Sequence, residues 1–458
     1  MQTIKIYFTI FTLFAFISLF AKPDSATYSH KSLNLTINNY GISFGNSRKV
    51  TGVRINLVDR ELEKVNGINF TLCNPISLSL NPFDFKNSYH NSGTVNGLAV
   101  SLIMPYAENL NGLSIGLFGV SGNNCRGLTI GGFGVNGETI SGITISGIGI
   151  GASDDIKGIA LAGIGLGSRN ITGITYSTIG LGVSGDIKGI TFAGIGMGAQ
   201  SISGLTIAGI GIGASENIQG ITLCGIGLGS KNLTGLTFST IGIGASGNIL
   251  GMTLAGIGIG GKNITGLTMG LAGVGASGNI KGITLAGIGM GASENLEGLS
   301  LAGIGMGANN IRGIQGALIA IGSQNELKGI SISGFHSVAK EIKGLQFSGI
   351  STGIIGMDLK IFRMNSAIPK LIKGISFNGV YSVSEKLDGF SYSTLLNKTQ
   401  KFHGGAIGAV NYFENSHSGI SIGIFNYTKN LHGIQLGLLN YAGNANRFKL
   451  LPLINFIH

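Results

Sequence analysis

Gly158-Ile-Ala-Leu-Ala-Gly163-Ile-Gly-Leu-Gly167-Ser-Arg-Asn-Ile-Thr172 is one copy of a unit that recurs along most of the chain. Copies begin at Gly142, Gly158, Gly173, Gly189, Gly204, Gly220, Gly235, Gly251, Gly266, Gly282, Gly298, Gly313, Gly329 and Gly344, always 15 or 16 residues apart. Looser copies begin at Gly52, Gly67, Gly97 and Gly112 before this block, and at Gly374, Gly419 and Gly433 after it. A fixed short period is the mark of a repeat architecture, in which one supersecondary unit buries its apolar side only by stacking on its neighbours.

Within the unit, large apolar residues stand at 159, 161, 164, 166 and 171. Steps of two keep side chains on one face of a strand, and the step of three at Ala162-Gly163 needs a corner or a bulge, which glycine tolerates. A helix is excluded, because glycine every few residues costs up to about 1 kcal/mol each. The fold class expected is therefore all-β, a repeat β-solenoid with coils of 15–16 residues. Ile159 and Leu161 would line one wall, Ile164 and Leu166 the next, and Ile171 a third corner, all pointing inward, with Thr175, Thr191, Thr206 and Thr222 on flat outer faces. The alternative is a large up-and-down transmembrane β-barrel with one strand per repeat, its apolar residues outward and Ala-Gly as a bulge. Alternation of 16 and 15 distinguishes two classes of turn, which suits a barrel with two ends. Duplication of an ancestral two-coil unit explains it equally. An apolar residue in every supposed turn (Ile156, Ile171, Ile187, Ile202, Ile218, Leu233) favours the solenoid.

Composition agrees. The 458 residues include 81 glycines, 6 prolines and no tryptophan, with 43 % hydrophobic and only 11 % charged residues and a mean hydropathy of +0.39. Collagen needs strict every-third glycine with abundant proline, and disorder needs low hydrophobicity with high charge, so both are excluded. Met1 to Lys5 followed by an uncharged stretch to Ala21 reads as an export signal, cleaved there or as late as Ala26. The organisation expected is a signal peptide over 1–21, degenerate N-terminal repeats and a cap over 27–141, regular repeats over 142–344, and degenerate repeats with a closing segment over 345–458. The segments 27–50 and 355–402 and the final run Arg447 to His458 are candidates for covering the open ends of the stack.

Little in the chain resembles reaction chemistry. The formal charge is +11, but the basic residues are dispersed: Arg48, Lys49, Arg54 and Arg60 in one flank, Lys340, Lys343, Lys360, Arg363, Lys370 and Lys373 in the other. Nucleic-acid binders concentrate charge on one face, so no nucleic-acid partner is expected. Cys73, Cys125 and Cys224 are too far apart to imply a disulfide framework, and Cys224 takes the place of Ala162, Ala193 and Ala255 in sister units. The histidines at 30, 90, 336, 403, 417, 432 and 458 form no metal-binding motif. Gly163-Ile-Gly165-Leu-Gly167 looks like a phosphate loop, but no helix follows to bind the anion. Asp154-Asp155 and Glu294/Glu297 read as solvated corners. Asn170, Asn232 and Asn263 match glycosylation sequons that follow from the repeat itself. Catalytic, cofactor-binding and metal-binding residues are accordingly expected to be none, with no cofactor and no enzyme activity.

The C-terminal Gly419-Ile-Ser-Ile-Gly-Ile-Phe-Asn-Tyr427 and Gly433-Ile-Gln-Leu-Gly-Leu-Leu-Asn-Tyr-Ala-Gly-Asn444, followed by Leu451-Pro-Leu-Ile-Asn455, resemble a family of exported, glycine-rich bacterial surface-repeat proteins. Its units read G-[VI]-Q-[IL]-G-L-x-N. The central Gly-Ile-Thr-Leu-Ala-Gly-Ile-Gly-Met-Gly copies are similar to a small-residue variant of that unit. The resemblance implies a cell-surface or outer-membrane address in a bacterium with two membranes, and it carries over no catalytic residue. The expected function is a non-enzymatic scaffold or adhesive binding surface of the cell envelope, with an outer-membrane channel as the alternative. Envelope components, surface polysaccharide or another protein are the partner classes, and membrane association fits both readings.

Overall fold

The computed structural model describes residues 32–59, 61–73, 93–353 and 368–458. The expected signal peptide, His30, Arg60, His90, Lys360 and Arg363 lie outside the described residues. Among those described, all regular structure is strand. The chain divides into two compact units, Met1–Gly213 and Ala214–His458.

In the regular repeats of the first unit each repeat contributes a long strand and a short one. Asp155–Ala162 pairs with Asn170–Ser177 in parallel, so that Ile156 lies against Ile171, Gly158 against Gly173, Ile159 against Ile174 and Ala160 against Thr175. Gly165–Ser168 pairs likewise with Gly180–Val183. In the second unit Asn217–Cys224 pairs with Asn232–Ser239, and Gly227–Ser230 with Gly242–Ala245, again parallel and like on like. Successive strands of an up-and-down barrel must be antiparallel. Parallel pairing one repeat apart makes each unit a β-solenoid and removes the barrel alternative.

The first glycine of each repeat fixes the register. Gly158 has φ +115°, and a Cβ built there would lie 2.2 Å from the carbonyl oxygen of Gly142 in the coil before. The same holds in the second unit, where Gly251 has φ +121° and its Cβ would lie 2.3 Å from Gly235 O. Both the left-handed backbone and the close approach exclude any side chain. The corner predicted at Ala162-Gly163 is present, and a Cβ at Gly163 would meet Gly147 O at 1.8 Å.

The expected orientation of the aliphatic residues is corrected. Ile156, Ile171 and Leu166 are buried as expected, but Ile174, Tyr176 and Ile179 point outward with 42 %, 46 % and 46 % of their surface exposed. Their counterparts Ile159 and Leu161 are half-buried on the same outer face and Ile164 is exposed. Thr175, Thr191, Thr206 and Thr222, assigned to the outside, are buried. Alternation places residues 156, 160 and 162 inward and 157, 159 and 161 outward, with Gly158 exposed. In the regular coils two large side chains, those at the Ile156 and Leu166 positions, fill the interior, and the remaining inner positions are mostly Gly, Ala, Ser or Thr, with Val183, Gln315 and Gln346 among the exceptions. Cys224 occupies such a small-residue position, paired with Ser239, and its Sγ donates to the carbonyl of Gly227 at 3.0 Å.

The two corner classes alternate within a stack for a reason visible at Asn170. In the shorter corner Asn170 Nδ2 donates to Asp155 Oδ1 at 3.0 Å, and Asn170 Oδ1 accepts the backbone N–H of Asp186 at 3.0 Å. Asn232 and Asn263 accept from the backbone of Asn248 (2.9 Å) and Asn279 (3.0 Å) in the same way. One side chain thus replaces the ladder bond that a missing residue would have made.

Both parallel stacks end in antiparallel strands. Ser32–Ile37 folds back on Tyr40–Gly45. Leu450–Ile457, the predicted closing strand, pairs antiparallel along Gly433 to Tyr441. Part of the expected 355–402 cover is corrected: Leu371–Asn378 pairs in parallel with Glu341–Ser348 and so continues the coils. In the first unit a buried ion pair of Arg54 and Asp59 lies among Asn46, Asn56, Asn69 and Thr71, all hydrogen-bonded to one or other charge. Arg54 therefore belongs to the interior and not to a basic surface flank.

Candidate interaction face

Inversion of the aliphatic residues gives each unit an uncovered apolar wall. In the second unit the wall follows the two outward positions after each registering glycine and the corner beyond them. Ile221, Ile226, Phe238, Ile241, Ile257, Ile283, Ile288, Leu301 and Ile304 are all exposed on it. The register stacks Ile221 on Leu236, then Met252, Leu267, Ile283 and Leu299. Aromatic residues join the wall further along, with Phe347 stacked on Phe377 at 5.1 Å between ring centroids. The first unit has the same arrangement, and there Ile55, Phe70, Val100, Leu102, Ile115 and Leu117 line an apolar groove of about 510 Å³.

Beside this wall lies a strip almost without side chains. Leu228 and Ile243 face inward from Gly227-Leu-Gly229 and Gly242-Ile-Gly244, and a Cβ at Gly227, Gly229 or Gly244 would meet nothing within 4 Å. These glycines contrast with the registering glycines, since their backbone faces open space. Further along, Gly289, Gly305 and Gly307 line a groove of about 730 Å³, with Ile288 and Ile304 among its apolar residues and Asn309 and Gln324 among its polar ones.

A column of asparagines runs along another corner. Asn217, Asn232, Asn248, Asn263, Asn279, Asn295 and Asn310 form a column in which side-chain amides link most neighbours, for example Asn263 Nδ2 to Asn248 Oδ1 at 3.0 Å and Asn310 Nδ2 to Asn295 Oδ1 at 3.0 Å. Ion pairs connect coils on the flank: Lys281 with Glu297 at 3.3 Å, Arg312 with Glu326 at 3.1 Å and Lys343 with Glu326 at 3.1 Å. Hydrogen bonds from Lys343 and then Arg312 hold the Glu326 carboxyl below the usual range. Exposed pairs of this kind contribute little stability. Of the acidic pairs noted in the sequence, Asp154 meets Arg169 at 3.3 Å and Asp155 meets Lys157 at 2.9 Å, so both serve the corner. A hydrogen bond from Asn170, followed by that from Lys157, lowers the Asp155 pKa.

The glycine-rich segment that looks like a phosphate loop runs as a corner and a short strand with no helix after it. Among the described residues no three His, Cys, Asp or Glu side chains converge as metal ligands. Cys125 and His417 both occupy the inner column of Ile156 and its counterparts, paired with Ile140 and Phe402 respectively. Burial pushes the Cys125 thiol up to about 12 and the His417 imidazole down to about 4. His417 packs beside Phe402 and Phe413, with ring centroids 5.2 Å and 5.0 Å away.

The motif behind the family resemblance also turns inward. Asn426 and Asn440 close the two quoted units, and both are buried. Asn397 Nδ2 donates to Asn411 Oδ1 at 2.8 Å, Asn411 to Asn426 at 2.8 Å, and Asn426 to Asn440 at 2.7 Å. This buried amide ladder takes the inner position that Met306 and Ile321 hold earlier in the same unit. Compared with protein-family models, with curated proteins and with solved structures, the chain matches none of them.

Proposed function

We propose that the protein is a non-enzymatic scaffold that presents a long binding surface, exported to the bacterial cell surface or outer membrane. One observation carries the binding part: aliphatic and aromatic side chains stand outward on the same face of coil after coil, with polar ladders held to another corner. Soluble proteins rarely leave contiguous apolar patches larger than a few hundred Å² uncovered, and larger ones mark contact with a protein or a membrane. Thr175, Thr191, Thr206 and Thr222 are interior and offer no outer face, so the reading puts the partner face on this apolar wall. The charged N-region and uncharged stretch before Ala21 support export, and the resemblance of the C-terminal units supports the envelope address.

The test is a deletion series in steps of one two-coil pair, beginning with residues 235–265, which preserves the alternation of corners. A scaffold loses surface binding progressively as pairs are removed while its parallel-β spectrum persists. Loss of all function on replacing a single polar side chain would overturn the reading. Recovery of the full chain from the cytosol, with residues 1–21 still attached, would overturn the address.

A further inference from the structure

Resting on the reading of the apolar wall as the partner face, we propose that the wall of the unit Ala214–His458 pairs with the same wall of a second copy of this chain, in a two-fold arrangement. Three observations select this occupant.

The first is area. Fourteen registering glycines from Gly220 to Gly433 mark the coils of this unit. At about 4.8 Å per coil and about 16 Å across the wall, each copy would cover about 1,100 Å². A stable protein interface needs about 800 Å² per partner, so one wall against another is sufficient with no other contact.

The second is shape. Stacked coils turn the wall into ridges about 4.8 Å apart, and a globular partner or a fluid lipid surface has no matching period. A second copy has the same corrugation, and ridges of equal spacing interdigitate as in a dry β-interface. A two-fold axis makes such a contact self-complementary and closed.

The third is charge. No Lys, Arg, Asp or Glu occurs at the wall positions represented by Ile283, Leu285 and Ile288 in any coil of this unit. Along the section from Lys281 to Lys343, five basic residues stand beside four acidic ones, within a unit that has seventeen basic and nine acidic residues in all, and pairs such as Lys281 with Glu297 span neighbouring coils. Two identical surfaces repel when their net charge is large, and the near-balance along this section permits approach there.

The experiment uses the full chain in sedimentation velocity at about 1–50 μM, with Ile257→Lys, Ile288→Lys and Ile304→Lys combined in one variant and Ser246→Lys with Ser277→Lys as the control at the polar corner. The proposal expects twice the chain mass for wild type and control, and a single chain mass for the wall variant. A wild type monomeric throughout, or a wall variant still dimeric, would overturn it. Where the wall variant fails to fold, Ile288→Cys and Ser277→Cys in a chain without its native cysteines are labelled with a maleimide at rising protein concentration. Slowing at position 288 alone supports the proposal, and unchanged rates at both overturn it. Flotation with phosphatidylcholine vesicles separates the readings. A monomer that floats through its wall overturns self-pairing while leaving the wall as the partner face, and a monomer that neither pairs nor floats removes both.

Discussion

Replacing Gly251 by alanine tests the coil geometry directly. Gly251 has φ +121°, where an L-residue is strained by about 1–3 kcal/mol. Its new Cβ would lie 2.3 Å from Gly235 O and 3.1 Å from Gly235 N, both backbone atoms that cannot rotate away. Relief requires the two coils to separate locally, which forfeits at least one buried ladder bond at about 1–3 kcal/mol. Gly251→Ala should therefore cost about 3–5 kcal/mol, a large fraction of the 5–15 kcal/mol that holds a typical domain together. Gly260, in the following short strand, faces open space, and Gly260→Ala should change stability by less than about 1 kcal/mol, in the stabilising direction if at all. Urea melts of both variants, followed by far-ultraviolet circular dichroism, measure the difference. Equal costs for the two, or a neutral Gly251→Ala, would refute parallel stacking of the glycines on one another.

Four further outcomes follow from particular side chains. Thr191 Oγ1 is buried without a hydrogen-bond partner, so Thr191→Val should leave stability unchanged or raise it by about 1 kcal/mol, measured by thermal or urea melts. Asn426→Leu interrupts the buried amide ladder between Asn411 and Asn440 and should cost about 2–4 kcal/mol in the same assay, since both neighbours lose a partner. Arg54→Ala strands the buried Asp59 carboxylate and should cost about 3–5 kcal/mol. The His417 pKa is about 4 in the fold and about 6.5 unfolded, so the unfolded chain binds the extra proton between those values. Stability should accordingly fall as pH drops from about 6.5 to 4, by up to about 3 kcal/mol, and His417→Leu should flatten that segment of a pH titration of urea midpoints.

Repeat length, registering glycines, corner positions and the closing strand could all be read from the sequence, because each is tied to backbone geometry that few residues allow. Which aliphatic residues face inward was misread, because large apolar side chains were assumed to lie inside, whereas burial preference is a one-way rule. The correcting signal was present in Lys157-Gly158-Ile159: a lysine must face water, and strand parity then carries Ile159 and Leu161 outward with it. Lys188 and Lys281 repeat the same parity ahead of Ile190 and Ile283. The outward apolar wall could not be found for the same reason, since it consists of the residues assigned to the core. The inward turn of Asn426 was hidden because its position is apolar in the regular repeats, and only the register shows that it replaces Met306 and Ile321.

Cysteine accessibility measures that inside-out assignment most directly. Single cysteines at Ile280 and Ile283, written Ile280→Cys and Ile283→Cys, are introduced into a chain freed of its native cysteines and treated with a maleimide under native conditions at low protein concentration. Ile280 is fully buried and Ile283 is 45 % exposed, so position 283 should label at the rate of an unfolded control while 280 stays protected until denaturant is added. Rapid labelling at 280 with protection at 283 would contradict the account.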